Sequence, residues 1–346
     1  MRWSAVSNLQ EQKGISSFDG AILKKEEIGD TSGEVYHIAF SGTSNYLVHT
    51  GISMVSILES NPKRAFHFHV FINGIEPEDK EKMEIVAHRW NCRITLYYVD
   101  DSFFREMLHR DGIAAFFYRF LVPPLLGEEQ IQRVLYLDGD IMCQNSLDEL
   151  MNVDLGGNIA ACVEDTSPAY AEMRRKKVGT KAYFNSGMML IDINNWNEVA
   201  VSFKAADMAV QRKASGKPLA SHDQDILNIL LDGRFLMMPK KYNYIYNIDM
   251  KGFFQKQEPL VYDQSAVLVH FAGIVKPWRS WVQDLPGVEK YHSFAQTSPW
   301  KDVPLVGFRR HKDIHQAARH ARRMGKYGKM VQMYGKYLSD KFVRHE

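Results

Sequence analysis

Two carboxylates stand on alternate residues in Asp138-Gly139-Asp140, directly after Arg133-Val134-Leu135-Tyr136-Leu137. Such a short apolar run reads as a buried strand. Carboxylates at its end can both reach one hard cation. Oxygen ligands suit Mg²⁺ or Mn²⁺, which complete their shells with substrate phosphates. Gly139 would let the backbone turn tightly between them. Asp-Gly is also an ordinary turn dipeptide, so the triplet alone equally allows a solvated loop. Arg119 lies inside Phe116-Phe117-Tyr118-Arg119-Phe120. A guanidinium in an aromatic run is costly to bury unpaired and needs an acidic partner. His270 closes an apolar stretch and Lys276 precedes Pro277. Taken alone, the first reads as a satisfied core histidine and the second as a solvated lysine.

These residues need a scaffold. Strand patterns at 35–40, 66–71, 92–99 and 133–137 alternate with helical patterns after residue 47 and after Pro77, a proline suited to a first helical turn. The rhythm predicts an α/β chain with a parallel sheet covered on both faces. Ligands of such sheets bind at the carboxyl ends of the strands, where the acidic triplet falls. A long helical region is expected over 102–125. Later strands are expected at 158–163, 188–193 and 266–270, with helices at 199–213 and 223–231. Residues 1–30 read as a weakly ordered extension, 31–276 as the catalytic domain and 277–346 as a C-terminal extension.

The chain has 346 residues, a size for one large catalytic domain with an appendage, and a net charge of +2. Residues 306–346 hold 11 Lys/Arg against three Asp/Glu, so a mildly acidic body carries a basic tail. From Ile314 onward, Ala317, Ala318, Ala321, Met324, Val331, Tyr334 and Leu338 recur at helical spacing, which predicts a basic amphipathic helix that orders on an anionic surface or packs on the body. No recognition motif for nucleic acid accompanies the charge. Three cysteines without CxxC pairing argue against a disulfide framework or a zinc site. No apolar run is long enough to span a bilayer and no secretory pattern opens the chain, so a soluble or peripheral cytoplasmic protein is expected.

An Asp pair after a strand also opens haloacid-dehalogenase-like phosphatases, with the first Asp as nucleophile. That reading would make Asp138 the nucleophile, but its motif wants Thr or Val where this chain has Met142. A third reading is a non-catalytic nucleotide-sugar-binding module. Tyr136-Leu137-Asp138-Gly139-Asp140 resembles the metal motif of glycosyltransferase family 8. Three more motifs follow in that family's order: Tyr183-Phe184-Asn185-Ser186-Gly187, Asp223-Gln224-Asp225-Ile226-Leu227-Asn228, and Val269-His270-Phe271-Ala272-Gly273 with Lys276-Pro277-Trp278. The segment from Trp278 through Leu285-Pro286-Gly287 to Ser298-Pro299-Trp300 is similar to the C-terminal part of the lipopolysaccharide core α-glucosyl/galactosyltransferase branch.

The resemblance implies a GT-A type nucleotide-sugar-binding fold, a Rossmann-like mixed sheet with helices on both faces, plus a C-terminal helical extension. It implies a retaining hexosyltransferase that moves glucose or galactose from UDP-glucose or UDP-galactose to a lipopolysaccharide core acceptor at the inner membrane. By resemblance, Asp138, Asp140 and His270 bind Mn²⁺ or Mg²⁺. Ala39, Thr43, Asn45, Tyr46, Arg119, Asp138, Gly139, Asn185, Gly273 and Lys276 surround the donor. Gln224 and Asp223 stand at the reacting centre, and Glu164 or Asp165 touches the acceptor. An amide is a poor nucleophile, so Gln224 favours front-face substitution; a double displacement would use Asp223. The chain departs from the family at Thr43, where an aspartate usually reads the base.

Overall fold

The computed structural model describes residues 18–108, 113–165, 168–216, 222–246 and 261–343. The chain divides into two compact units: Met1–Tyr244 with Ser265–Val269, and Ile245–Gln264 with His270–Glu346.

The first unit is built on an eight-stranded mixed sheet. In chain order its strands are β1 (Ile22–Ile28), β2 (Val35–Gly42), β3 (Ala65–Ile72), β4 (Arg93–Val99), β5 (Arg133–Asp138), β7 (Ala160–Glu164), β8 (Phe184–Asp192) and β9 (Phe235–Met238), arranged in the order β1-β4-β3-β2-β5-β8-β7-β9. The four strands β4, β3, β2 and β5 run parallel, as the alternating pattern predicts. β8 runs antiparallel to β5 and to β7. Its amino end therefore lies beside the carboxyl end of β5, and the motif Phe184-Asn185-Ser186 meets the acidic triplet. β6 (Ile141–Cys143), β10 (Tyr244–Ile245) and β11 (Leu268–His270) form a small sheet in the order β10-β11-β6. The central strands are buried on both faces; β3 carries Phe66, Phe68 and Val70 on one side and His67, His69 and Phe71 on the other.

Two expectations are corrected. Residues 22–28 are not a loose extension: β1 pairs antiparallel with β4 as an edge strand; residues 1–17 lie outside the described residues. The stretch 102–125 is not one helix. It holds 3₁₀ turns at Asp101–Phe104, Ala114–Phe116 and Tyr118–Phe120, then a short helix Val122–Glu128 that starts beside Pro123. Aromatic burial, not helical hydrogen bonding, fixes this segment: Phe104, Phe117, Tyr118 and Phe120 are all buried.

In the second unit the basic tail is two helices, His311–Arg323 and Tyr327–Val343. Gly325 adopts φ +68° between them, a conformation glycine reaches without steric cost. The first helix buries Ile314, Ala317, Ala318 and Ala321, and His320 meets Asp284 at 2.9 Å. Its order comes from packing within the unit. The second exposes Tyr327, Val331 and Leu338. Among the described residues no helix is long and apolar enough to cross a membrane.

Candidate functional site

β2 and β5 pair so that Ser41 lies opposite Asp138, at the carboxyl ends of both strands. Asp138 Oδ1 accepts from Arg119 Nη2 at 2.9 Å and from the Tyr136 hydroxyl at 3.1 Å; that hydroxyl also meets Ser41 Oγ at 2.6 Å. Arg119 is 5% exposed and bridges two acids, since its Nε lies 3.1 Å from Asp223 Oδ2. Its Nη1 donates to the Ser186 carbonyl and hydroxyl, and the guanidinium lies 4.7 Å over the Tyr136 ring. Burial works against its charge; Asp223, Tyr136 and Asp138 overcome that and hold its pKa above the ordinary value. The partner that the aromatic run demanded is thus a pair of carboxylates.

Gly139 does not have a positive φ. The structure gives a different reason for glycine than a tight turn: a Cβ would fall on the Thr50 hydroxyl of the helix Leu47–Ser60 and 3.2 Å from Tyr46 Cδ1. Asp140 is buried, and the Tyr46 hydroxyl approaches its Oδ2 at 3.5 Å.

Gln224 lies in the helix His222–Leu230 and is held at both ends of its amide. Its nitrogen donates to Asp165 Oδ2 at 2.8 Å and to the Tyr183 hydroxyl at 3.1 Å; its oxygen accepts from Asn185 Nδ2 and the Ser186 amide, both at 3.2 Å. These partners fix which amide atom faces which way. Asn185 Oδ1 in turn accepts from the Gly187 amide and from Asn243 Nδ2, each at 3.0 Å. Asp165 is buried, not a surface acid, whereas Glu164 is half-buried at the end of β7.

The same motif carries residues that hold the site rather than line it. Asp225 is gripped by Arg174 and accepts from the Tyr183 hydroxyl at 2.6 Å. Asn228 clamps the backbone of Phe184, accepting from its amide at 2.8 Å and donating to its carbonyl at 2.9 Å. Neither Arg174 nor Asn243 is marked in the sequence, since their partners lie 51 and 58 residues away.

The remaining expected donor residues divide between the two units. Ala39 is wholly buried in the hydrophobic core. Thr43 precedes the 3₁₀ turn Ser44–Tyr46 and accepts from the Tyr46 amide at 2.8 Å; Asn45 is exposed. Asn73 caps this loop by accepting from the Ser44 amide, and itself donates to Asp101. His270 follows Val269 directly and ends β11. In the second unit its carbonyl accepts from the Tyr246 amide, Gly273 adopts φ +93°, and Lys276 donates to the Phe271 carbonyl at 2.8 Å.

The sequence pattern of Glycosyl transferase family 8 matches residues 37–282, and that of the family's C-terminal region matches 286–341. The chain belongs to glycosyltransferase family 8. Its similarity to the lipopolysaccharide 1,3-galactosyltransferase of Salmonella typhimurium is 28% identity, over 89% of this chain and 92% of that one. The lipopolysaccharide glucosyltransferase WaaO of Escherichia coli K12 is 26% identical, over 95% and 98%. Among solved structures, the galactosyltransferase LgtC with donor and acceptor sugar analogs superposes with a TM-score of 0.61 at 24% identity, covering 76% of this chain and 96% of that one, which shows a shared fold. A family 8 chain of this kind is a glycosyltransferase. Neither the phosphatase reading nor the non-catalytic module gains support.

Proposed function

We propose that this chain is a retaining hexosyltransferase that takes glucose or galactose from a UDP-sugar to a lipopolysaccharide core oligosaccharide. The observation that carries the reading is the carboxyl edge of the sheet, where Arg119 bridges Asp138 and Asp223 and where the amide of Gln224 is pinned on four sides. The names of the two lipopolysaccharide glycosyltransferases above support the acceptor.

Asp138, Asp140 and His270 are the residues that would hold a divalent cation. Two carboxylates and one imidazole are a donor set composed for an ion. The cation supplies charge neutralisation for the departing diphosphate. Asp138 keeps one oxygen for it, because Arg119 and Tyr136 both engage Oδ1. Lys276 adds a positive charge for the same phosphates, and Thr43, Asn45 and Tyr46 form the loop proposed to meet the base.

Gln224 orients the sugar and does not attack it. Asp223 is the alternative nucleophile, but its Oδ2 lies 3.1 Å from Arg119 Nε and accepts from Ser186 Oγ at 3.4 Å. A carboxylate held this way is a weak nucleophile, which favours front-face substitution with retention. Asp165, fixed against Gln224, and Glu164 face the acceptor in this proposal. The exposed Tyr327, Val331 and Leu338 lie one or more turns apart on the last helix, with Lys329, Lys336 and Lys341 among them. We assign this helix to the anionic cytoplasmic face of the inner membrane.

Labelled UDP-glucose and UDP-galactose, each with Mn²⁺ or Mg²⁺ and truncated core acceptors, test the reading. One donor should give an α-linked product; a β-linked product, or phosphate release from simple esters, overturns it. Val331→Glu with Leu338→Glu should abolish sedimentation with anionic vesicles and leave transfer to a soluble acceptor unchanged. Undiminished sedimentation removes the membrane assignment.

A further inference from the structure

The same parallel strands carry a second cluster of metal-ligating side chains, at their other end. His37 on β2 stands opposite His67 on β3, and His69 follows two residues on, on the same face. Four residues of β2 separate His37 from Ser41 at the donor edge, about 13 Å of extended strand. His37 Nδ1 lies 3.1 Å from His69 Nε2, and the His67 and His69 ring centres are 3.9 Å apart. Each ring offers one nitrogen within 4.8 Å of the other two.

Two of the other ring nitrogens are engaged outside the cluster. His67 Nε2 meets Thr95 Oγ1 at 2.7 Å, and His69 Nδ1 meets the Tyr97 hydroxyl at 3.2 Å. That hydroxyl donates to Glu129 Oε1 at 3.0 Å, so its oxygen accepts from His69 Nδ1–H. The tautomer follows: His69 Nε2 carries the lone pair and points it at His37. Hydrogen bonds of this kind orient metal-binding imidazoles.

Burial lowers the proton affinity of all three rings, which favours the neutral form that binds a metal. The charges nearby are already matched. Lys25 meets Glu129 at 2.7 Å, and Arg93 pairs with Glu27. His37 and His67 open onto a cavity of about 630 Å³ at the amino ends of the strands, lined also by Glu34, Arg93, Glu129 and Arg133. Three polar rings on two neighbouring central strands are a poor choice for packing alone, since each needs a hydrogen-bond partner that an apolar side chain would not.

We propose that His37, His67 and His69 form a binding site for a late first-row divalent cation of the zinc class, separate from the donor site, with its fourth position open to the amino-edge cavity. Three imidazoles and one open position are a coordination set that zinc accepts, and softer than Mg²⁺ or Mn²⁺ prefer. The sparse cysteines argued against zinc; the histidines, which the sequence scatters over β2 and β3, restore it. His37 gives up its Nδ1 proton to its own Nε2 on the half-exposed side, which frees the lone pair.

The test is Zn²⁺ titration of the metal-stripped full chain in excess Mg²⁺, read by competition with a chromogenic chelator, and by the visible absorption of Co²⁺ in its place. The Asp140→Ala chain serves as background, because it cripples the donor-site cation. One Zn²⁺ should bind there, with Co²⁺ absorption of tetrahedral intensity. His37→Ala should weaken binding at least about a hundredfold, and Tyr97→Phe, which removes one oxygen, about ten- to a hundredfold. If His37→Ala fails to fold, Tyr97→Phe alone decides. No Zn²⁺ bound to the Asp140→Ala chain, or unchanged affinity in the folded variants, overturns the site.

Discussion

At the carboxyl ends of β2 and β5 the side chains are charged: Asp138, Asp140, Asp223 and the Arg119 that joins two of them. At the amino ends of β2 and β3, on the same sheet, they are three imidazoles, His67 held by Thr95, His69 by Tyr97 and His37 against His69. Both groups are largely buried, yet burial does opposite things to them. Arg119 keeps its charge because two carboxylates neutralise it, whereas the histidines lose theirs to desolvation. One edge is therefore the one proposed for phosphate and a hard cation, and the other the one proposed for a softer ion that needs lone pairs. Charge survives inside a protein only where its counter-charge is built beside it.

The sharpest way to break the contrast is Asp140→Ala. Transfer is expected to fall more than ~1000-fold, on the scale of losing a catalytic metal, while zinc binding at the histidines is untouched. A tenth of wild-type transfer retained would remove the metal role from this residue. Next comes Arg119→Met, which leaves buried Asp223 and half-buried Asp138 without their shared cation. Urea unfolding should show a loss of about 3–5 kcal/mol, the cost typical of a broken buried pair. Unaltered stability would mean that solvent, not Arg119, supports those acids. An uncharged clamp at the same edge should matter less: Asn228→Ala frees both backbone groups of Phe184 and should cost about 1–3 kcal/mol, with KM for the donor rising as Asn185 loosens. A stability change below ~0.5 kcal/mol would show that Phe184 is held otherwise.

The smallest effect is expected at Glu26 on β1, whose carboxyl bonds to Lys80, Tyr98 and Lys24 and to neither group. Lys80, and then Tyr98, hold the Glu26 carboxyl down at about 2 from an ordinary 4.5. The unfolded chain binds more protons between these values, so Glu26 contributes fully above about pH 4.5 and its contribution is lost as pH falls towards 2. Glu26→Gln should flatten that slope by no more than ~1 kcal/mol, as befits a partly solvated pair. A difference that instead grows above neutral pH would contradict the assignment.

The sequence made the donor edge legible because apolar strands announce themselves and because motif residues cluster directly after them. Arg119 was legible as a charge that could not stand alone among aromatics. Asp225 and Asn228 were not separable from Asp223 and Gln224, since four polar residues on one helix look alike until the helix has a face; Arg174 and the Phe184 backbone then assign two of them to support. β1 hid because an edge strand wet on both sides carries no alternation, and Leu23 is 70% exposed. The break at Gly325 was visible as a glycine, but its φ was not. The histidine cluster escaped because His37 and His67 are thirty residues apart and become neighbours only through strand pairing.

Gly139 has a consequence for anyone redesigning this enzyme. Its missing Cβ is occupied by Thr50 from the neighbouring helix, so positions 50 and 139 are one design variable, not two. A library that randomises 139 alone should return glycine almost exclusively. Shortening Thr50 to alanine removes the offending oxygen and leaves its Cβ at ordinary contact distance, so alanine at 139 should enter only in company with it and with a small shift of the Tyr46 ring, 3.2 Å away. Among natural relatives the two positions are expected to drift together, with the bulk at one inversely tied to the bulk at the other.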